Sequence, residues 1–181
     1  MTVVNPQQQV QEESKDSGKL FENNIVLVPK FISGIKTDVK ESIMYGADDK
    51  EVIYPAGHNV IFYNIEDKSQ RYISGIEGTQ GITAMALSKS KRWLAVAEKH
   101  EKAPIITIYD TQTLKKKKYL VSTDIGKSEE FISIAFAPTK EQYLITLTNE
   151  PGQTVCIWQW DKAKCISYQP VSNNTNNVLG T

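Results

Sequence analysis

The chain has 181 residues, 40% hydrophobic and 23% charged, and its 21 basic side chains balance 21 acidic ones. That is room for one modest domain, and zero net charge with a pI near 6.7 excludes a protein-wide basic attraction to nucleic acid or anionic membrane. No stretch approaches the ~18 consecutive apolar residues of a bilayer-spanning helix, and Met1 is followed by Gln-rich polar sequence instead of an apolar signal core, so a soluble, non-secreted protein is expected.

Residues 1–24, with Gln7, Gln8, Gln9 and Gln11 among acids and lysines, hold too few apolar side chains to offset the entropy of ordering. They read as a flexible or partner-ordered arm. From residue 25 to 171 the texture changes to short β-branched and aromatic runs separated by Gly, Pro, Asn, Asp and Lys turns, without sustained helical periodicity. Strands are expected at 25–28, 43–45, 51–54, 59–64, 71–73, 82–87, 93–97, 105–109, 118–121, 131–136, 143–147, 154–158 and 165–168. In the strand at 82–87, Ile82, Ala84 and Ala86 alternate with Thr83, Met85 and Leu87, so both faces are largely apolar and both need cover. The Asn-rich run that opens the tail at 172–181 has loop composition.

An internal repeat organises these runs. Ile82 to Ser88 aligns with Ile132 to Pro138 at a spacing of 50 residues, and Trp93-Leu94-Ala95-Val96 lies over Tyr143-Leu144-Ile145-Thr146. Ile106 to Tyr109 matches the stretch from Thr154 to Trp158 after a one-residue shift, and Val60 to Asn64 precedes Ile106 to Asp110 by 46. Periods of that length, each holding about four strands, are the signature of propeller blades, whose inner strands are covered on both faces by neighbouring blades. The expected fold is therefore all-β, a partial propeller of about three four-stranded blades; a β-sandwich, the alternative, would alternate more cleanly. Such a set cannot close into a ring, so it is expected to fold stably only when other blades complete it.

The blade copies, ending in Tyr63-Asn64, Tyr109-Asp110 and Trp158-Gln159, resemble the WD-repeat family. Gly57-His58 stands before a third-strand copy, where the family's Gly-His pair precedes the first, and Trp160-Asp161 lies two residues beyond the aligned position. Within that family, Pro55-Ala56-Gly57-His58-Asn59, Ile73-Ser74-Gly75, Gly78-Thr79-Gln80-Gly81, Lys91-Arg92-Trp93-Leu94-Ala95 and Phe131 to Pro138 together look like the start of the cilia- and flagella-associated protein 57 family. The likeness runs roughly from Phe31 to Tyr168. It implies a WD40-type propeller in a scaffold of the ciliary or flagellar axoneme, where the family's two propellers and coiled coil link regulatory complexes to inner dynein arms. This chain carries no heptad segment, so coiled-coil functions do not transfer to it. The partners implied are inner dynein arm or regulatory complex components, tubulin, and further blades or another chain completing the propeller.

No constellation of residues points to catalysis, a cofactor or a metal. His58 and His100 fall in separate loops, and Asp48, Asp49 and Glu51 share one short turn. Gly75, Gly78 and Gly81 precede a strand, whereas a phosphate cradle opens a helix, so they read as a blade-connecting loop. Cys156 and Cys165 lack zinc-site spacing and read as reduced structural residues. The candidate protein contacts are Lys115, Lys116, Lys117 and Lys118, placed in a turn before Tyr119, and Trp160. The lysines suit an acidic axonemal surface such as the tubulin exterior, or protect a blade edge from unwanted pairing. Trp158 and Trp160 suit inter-blade packing, or for Trp160 an exposed partner anchor. A generic cytosolic WD-repeat peptide-binding module is the alternative function; charged or aromatic residues ringing the innermost strands would favour it.

Overall fold

The computed structural model describes residues 29–40, 42–121 and 128–171; the expected arm at 1–24, the run at 25–28 and the tail at 172–181 lie outside them. The described residues form three sequential four-stranded antiparallel sheets. Blade I is β1 (Met44–Tyr45), β2 (Glu51–Ala56), β3 (Asn59–Asn64) and β4 (Ser69–Ile73). Blade II is β5 (Thr79–Leu87), β6 (Trp93–His100), β7 (Ile105–Asp110) and β8 (Lys116–Val121), and blade III is β9 (Phe131–Phe136), β10 (Tyr143–Thr148), β11 (Thr154–Gln159) and β12 (Lys164–Pro170). Each sheet is a meander from innermost to outermost strand, the order of a propeller blade.

The repeat is written in the turns. Between the third and fourth strands, Lys68, Leu114 and Ala163 take left-handed φ of 54°, 55° and 51°, each four positions after Asn64, Asp110 and Gln159. Asn64 Oδ1 accepts from the Glu66 and Asp67 N–H groups, and Asp110 Oδ1 from those of Gln112 and Thr113, so a short Asx side chain closes the turn in blades I and II. Gln159 makes no such bond, and blade III replaces the Asx turn with a 3-10 turn at Trp160–Lys162. Between the first and second strands, Gly46 N–H donates to Glu51 O and Ser88 N–H to Trp93 O. Three residues into each of these turns, Asp49 and Lys91 are left-handed. The matching bond in blade III runs from Ala137 N–H to Tyr143 O and spans one residue more. First strands are consequently related by 49 residues, not 50: Leu87 pairs with Leu94 as Phe136 pairs with Leu144.

Two apolar seams hold the blades together. Between blades I and II pack Val39, Ile53, Val60, Phe62, Ile82, Met85, Leu94, Val96 and Tyr109. Between blades II and III, the small residues Ala84, Ala86, Ala95 and Ala97 with Ile106 and Ile108 face Phe131, Ile134, Leu144, Cys156, Trp158 and Trp160. Alternation along β6 and β7 assigns each residue to one seam. Along β5 it is interrupted: the register shifts between Ile82 and Ala84, so Ile82 joins Met85 on the blade I side while Ala84 and Ala86 face blade III. Strict period-two reading put Ile82 with the alanines; the bulge moves it across.

Candidate interaction surfaces

Asp110 N–H donates to Lys115 O, closing the turn so early that β8 begins at Lys116. The four lysines are expected in a turn, with a strand from 118 to 121; only Lys115 lies in the turn, and Lys116, Lys117 and Lys118 are all on the outermost strand of blade II, which starts earlier than expected. All four are exposed, as are Tyr119 and Val121, whereas Leu120 is fully buried. Lys118 pairs with Ile108, which faces blade III, and Lys116 pairs with Tyr109, which faces blade I, so positive charge stands on both faces of the edge. Lys117 Nζ lies 4.0 Å from Asp110 Oδ2 and the Lys116 ammonium sits 4.0 Å above the Tyr119 ring, hydrogen-bonding its hydroxyl. Lys115 and Lys118 make no ion pair among the described residues.

Trp160 is buried, which leaves it no exposed anchor face. Its ring is 5.1 Å from that of Trp93 and its indole N–H donates to Glu141 O at 2.5 Å. The 3-10 turn swings it back under the seam beside Trp158, whose N–H donates to Thr146 Oγ1 at 3.0 Å. Cys156 is buried in the same seam, Cys165 packs against it, and no disulfide joins them.

At the end of the seam between blades I and II stands a carboxylate that the sequence did not announce. Glu98, on β6, is 1% exposed; its Oε1 accepts from Ile76 N–H at 3.1 Å and its Oε2 has no hydrogen-bond partner. Burial pushes its carboxyl above the ordinary range against the opposing influence of the Ile76 bond, the nearby Thr79 hydroxyl, and His58 and His100. Burial, with the Glu98 charge adding to it, pushes the Tyr109 phenol up to about 12. His58 is exposed in the β2–β3 turn, and His100 ends β6 with Nε2 at 3.2 Å from Glu77 O, so the two imidazoles flank Glu98 from neighbouring blades. A Cβ on Gly75 would meet His58 O at 2.7 Å, so the close approach of two backbones requires glycine there. Gly75 and Gly78 are in the loop joining blades I and II, but Gly81 lies inside β5, at its irregular start.

The inner rim is more polar than the apolar first strands implied. The segment before blade I bonds to blade I through Lys36 N–H to Pro55 O and bridges Ala84 of β5 in parallel through Lys40. This brings Lys36, Asp38 and Lys40 beside Thr83, Lys99 and Glu130 around a cleft of about 460 Å³. Lys36 pairs with Asp38 at 2.5 Å and Lys99 with Glu129 at 2.6 Å. Among the described residues no three His, Cys, Asp or Glu side chains are grouped to hold a metal.

The far face of blade III is apolar and partly uncovered. Strand pairing makes Ile145 and Leu147 the counterparts of Ala95 and Ala97, and Val155 and Ile157 those of Ile106 and Ile108. The blade II residues are 0% exposed, whereas Ile145 is 44% exposed and Leu147, Val155 and Ile157 are half-buried. Ile134 belongs to the covered side, in the seam with blade II: the 49-residue relation makes it the counterpart of Met85, which faces blade I.

No protein-family model matches the chain. It is 35% identical over 144 residues to cilia- and flagella-associated protein 57 C of Tetrahymena thermophila, covering 76% of this chain and 11% of that protein. To mouse cilia- and flagella-associated protein 57 it is 29% identical over 158 residues, 86% of this chain and 12% of that one. Mouse cilia- and flagella-associated protein 44 matches at 30% over 119 residues, 66% and 6% of the two chains. The chain thus spans about a tenth of the length of the first two relatives. The β-propeller domain of Cps50 (Swd1) from Myceliophteria thermophila superposes with a TM-score of 0.53 at 14% identity, covering 71% of this chain and 37% of that one. The fold is a partial WD40-type propeller.

Proposed function

We propose that this chain, similar over most of its length to cilia- and flagella-associated protein 57, is a non-enzymatic structural or adaptor segment of the ciliary axoneme. It presents propeller blades to neighbouring axonemal proteins near inner dynein arms or their regulators, and its uncovered seam is completed by further blades from the same or another chain. One observation carries this reading: the face that is wholly covered on blade II is apolar and open at equivalent positions of blade III. A surface of that kind marks an interface. The test is size-exclusion chromatography with light scattering on the chain alone, followed by fractionation of tagged protein from ciliated cells. We expect oligomers or poor solubility alone and retention in detergent-extracted axonemes. A monomer of about 20.4 kDa with a cooperative melt, absent from axonemes, overturns the proposal.

The cleft beside Lys36, Lys40, Lys99 and Glu130 favours a second reading, peptide recognition at the propeller's inner rim. Substituting Lys36 and Lys40 would abolish partner capture under that reading and leave axonemal retention intact under the first.

A further inference from the structure

The outer strands of the three blades have different chemistry. β4 reads Ser-Gln-Arg-Tyr-Ile and β12 Lys-Cys-Ile-Ser-Tyr-Gln-Pro, each with one basic residue, whereas β8 reads Lys-Lys-Lys-Tyr-Leu-Val directly after Lys115. Arg71 of β4 is moreover engaged by Glu51 at 2.6 Å and reaches the Gln112 carbonyl. β8 pairs with β7 on one side only, and on the other no described strand adjoins it. Its outward backbone donors and acceptors are a template for one more strand.

Which strand can add is decided by charge. Opposite charges across a strand pair stabilise and like charges destabilise, and an added strand also presents side chains alternately to both faces. Lys118 stands on one face of β8 and Lys116 on the other, with Lys115 and Lys118 unneutralised by any described carboxylate. A second copy of this edge would bring lysines onto lysines. We infer that the β8 edge is a strand-addition site for an extended, acidic peptide segment of a partner protein. The inference deepens the adaptor reading above and rests on it for biological meaning. The binding chemistry is independent of it. A nucleic acid would satisfy the charge but has no amide ladder to offer the strand edge, which is why a peptide is the better occupant. Tyr119, 42% exposed, and Val121, 50% exposed, add apolar contact for side chains alternating with the acids.

The test is fluorescence anisotropy of the full chain with a labelled peptide alternating Glu with Val or Thr, in whatever oligomeric state the chain adopts. Association through blade faces leaves the outer rim accessible. Three comparisons decide: the same peptide N-methylated at alternate residues, a Lys-for-Glu version, and a DNA oligonucleotide. Binding should weaken with salt and be absent for the Lys peptide. N-methylation, which removes several ladder hydrogen bonds at unchanged charge, should cost at least about tenfold in affinity. The Lys115→Glu, Lys116→Glu, Lys118→Glu variant, which spares Lys117 beside Asp110, should lose the Glu peptide and gain the Lys peptide. Equal binding of plain and N-methylated peptides, DNA binding at least as tight as the Glu peptide, or no Glu-peptide binding would each overturn the inference. Axonemal retention tests the adaptor reading separately, so the two can fail independently.

Discussion

Removing the charge of Glu98 should stabilise the protein at neutral pH. Glu98→Gln keeps an oxygen to accept from Ile76 N–H and leaves the shape of the seam unchanged, while deleting a carboxylate whose Oε2 has no partner at 1% exposure. An unsatisfied buried polar atom costs about 1–3 kcal/mol, and more when charged. Glutamine retains part of that cost through its own amide nitrogen, so a net gain of about 1 kcal/mol is reasonable, or ~2–4 °C in melting temperature for a chain of this size. The pH dependence has a definite sign. Because burial raises the folded-state pKa of Glu98 above its ordinary 4.5, the folded protein holds this proton more tightly than the unfolded chain. Its contribution is therefore most favourable at low pH and is lost as pH rises from the ordinary value through the raised one. The groups facing it are Thr79 at the start of β5, His58 from the β2–β3 turn, His100 at the end of β6 and Tyr109 from β7; the Thr79 hydroxyl and the two imidazoles oppose the shift without overcoming burial. Melting curves of wild type and variant from pH 4 to 8 should diverge with increasing pH, the variant above. A variant that melts lower than wild type at pH 7 would refute the argument and mean that the carboxylate has a stabilising cationic partner.

Other substitutions probe the seams and turns. Ala97→Leu adds bulk where Phe131 and Trp158 already fill the space and should cost about 1–3 kcal/mol by chemical denaturation, whereas Leu147→Ala at the equivalent position of blade III should cost less in the chain alone. Asp110→Ala removes the acceptor of the Gln112 and Thr113 amides and should lower the melting temperature. Those bonds, with Lys117 nearby, hold the Asp110 carboxyl below its usual range, so its stabilisation is present above pH 4 and is lost as pH falls through the depressed value. Asp110→Asn, keeping the Oδ1 acceptor as Asn64 does, should restore most of the loss.

Most of the fold could be read from the sequence because a blade repeats itself. The third strand announces itself three times by an aromatic residue followed by Asn, Asp or Gln, and the strands at 59–64 and 131–136 match their expected bounds. What escaped are features with no periodic signal. The bulge at Ile82–Ala84 reverses which residues share a face, and the extra residue between Ala137 and Tyr143 shifts the first-strand alignment by one. The alternation of Trp158 with Trp160 made their inter-blade packing legible, whereas the 3-10 turn that carries Trp160 into the seam was not. The outer strand at 118–121 was legible from Tyr119 to Val121, but its start at Lys116 was not, since lysine has low strand preference and β8 is extended by pairing with β7. Glu98 follows the apolar run ending at Ala97 and opens the charged stretch Glu98-Lys99-His100-Glu101-Lys102, so its pattern is that of a solvated loop although β6 continues through it.

The graded size of side chains across the second seam gives the stack a direction. On the blade II side the contact is shaved down to Ala95 and Ala97, which lets Trp158 and Phe131 come in close; on the corresponding side of blade III the same two positions are Ile145 and Leu147. A module shaped like blade III therefore fits onto blade II but collides with another blade III. Repeated stacking of one blade type into an endless fibre is disfavoured by volume alone. The first seam follows the same rule: its equivalent of Ala95 is Ile53, and the counterpart of Trp158 sharing that seam is Tyr109, a smaller side chain, so the size of the ring tracks the bulk of the residue it meets.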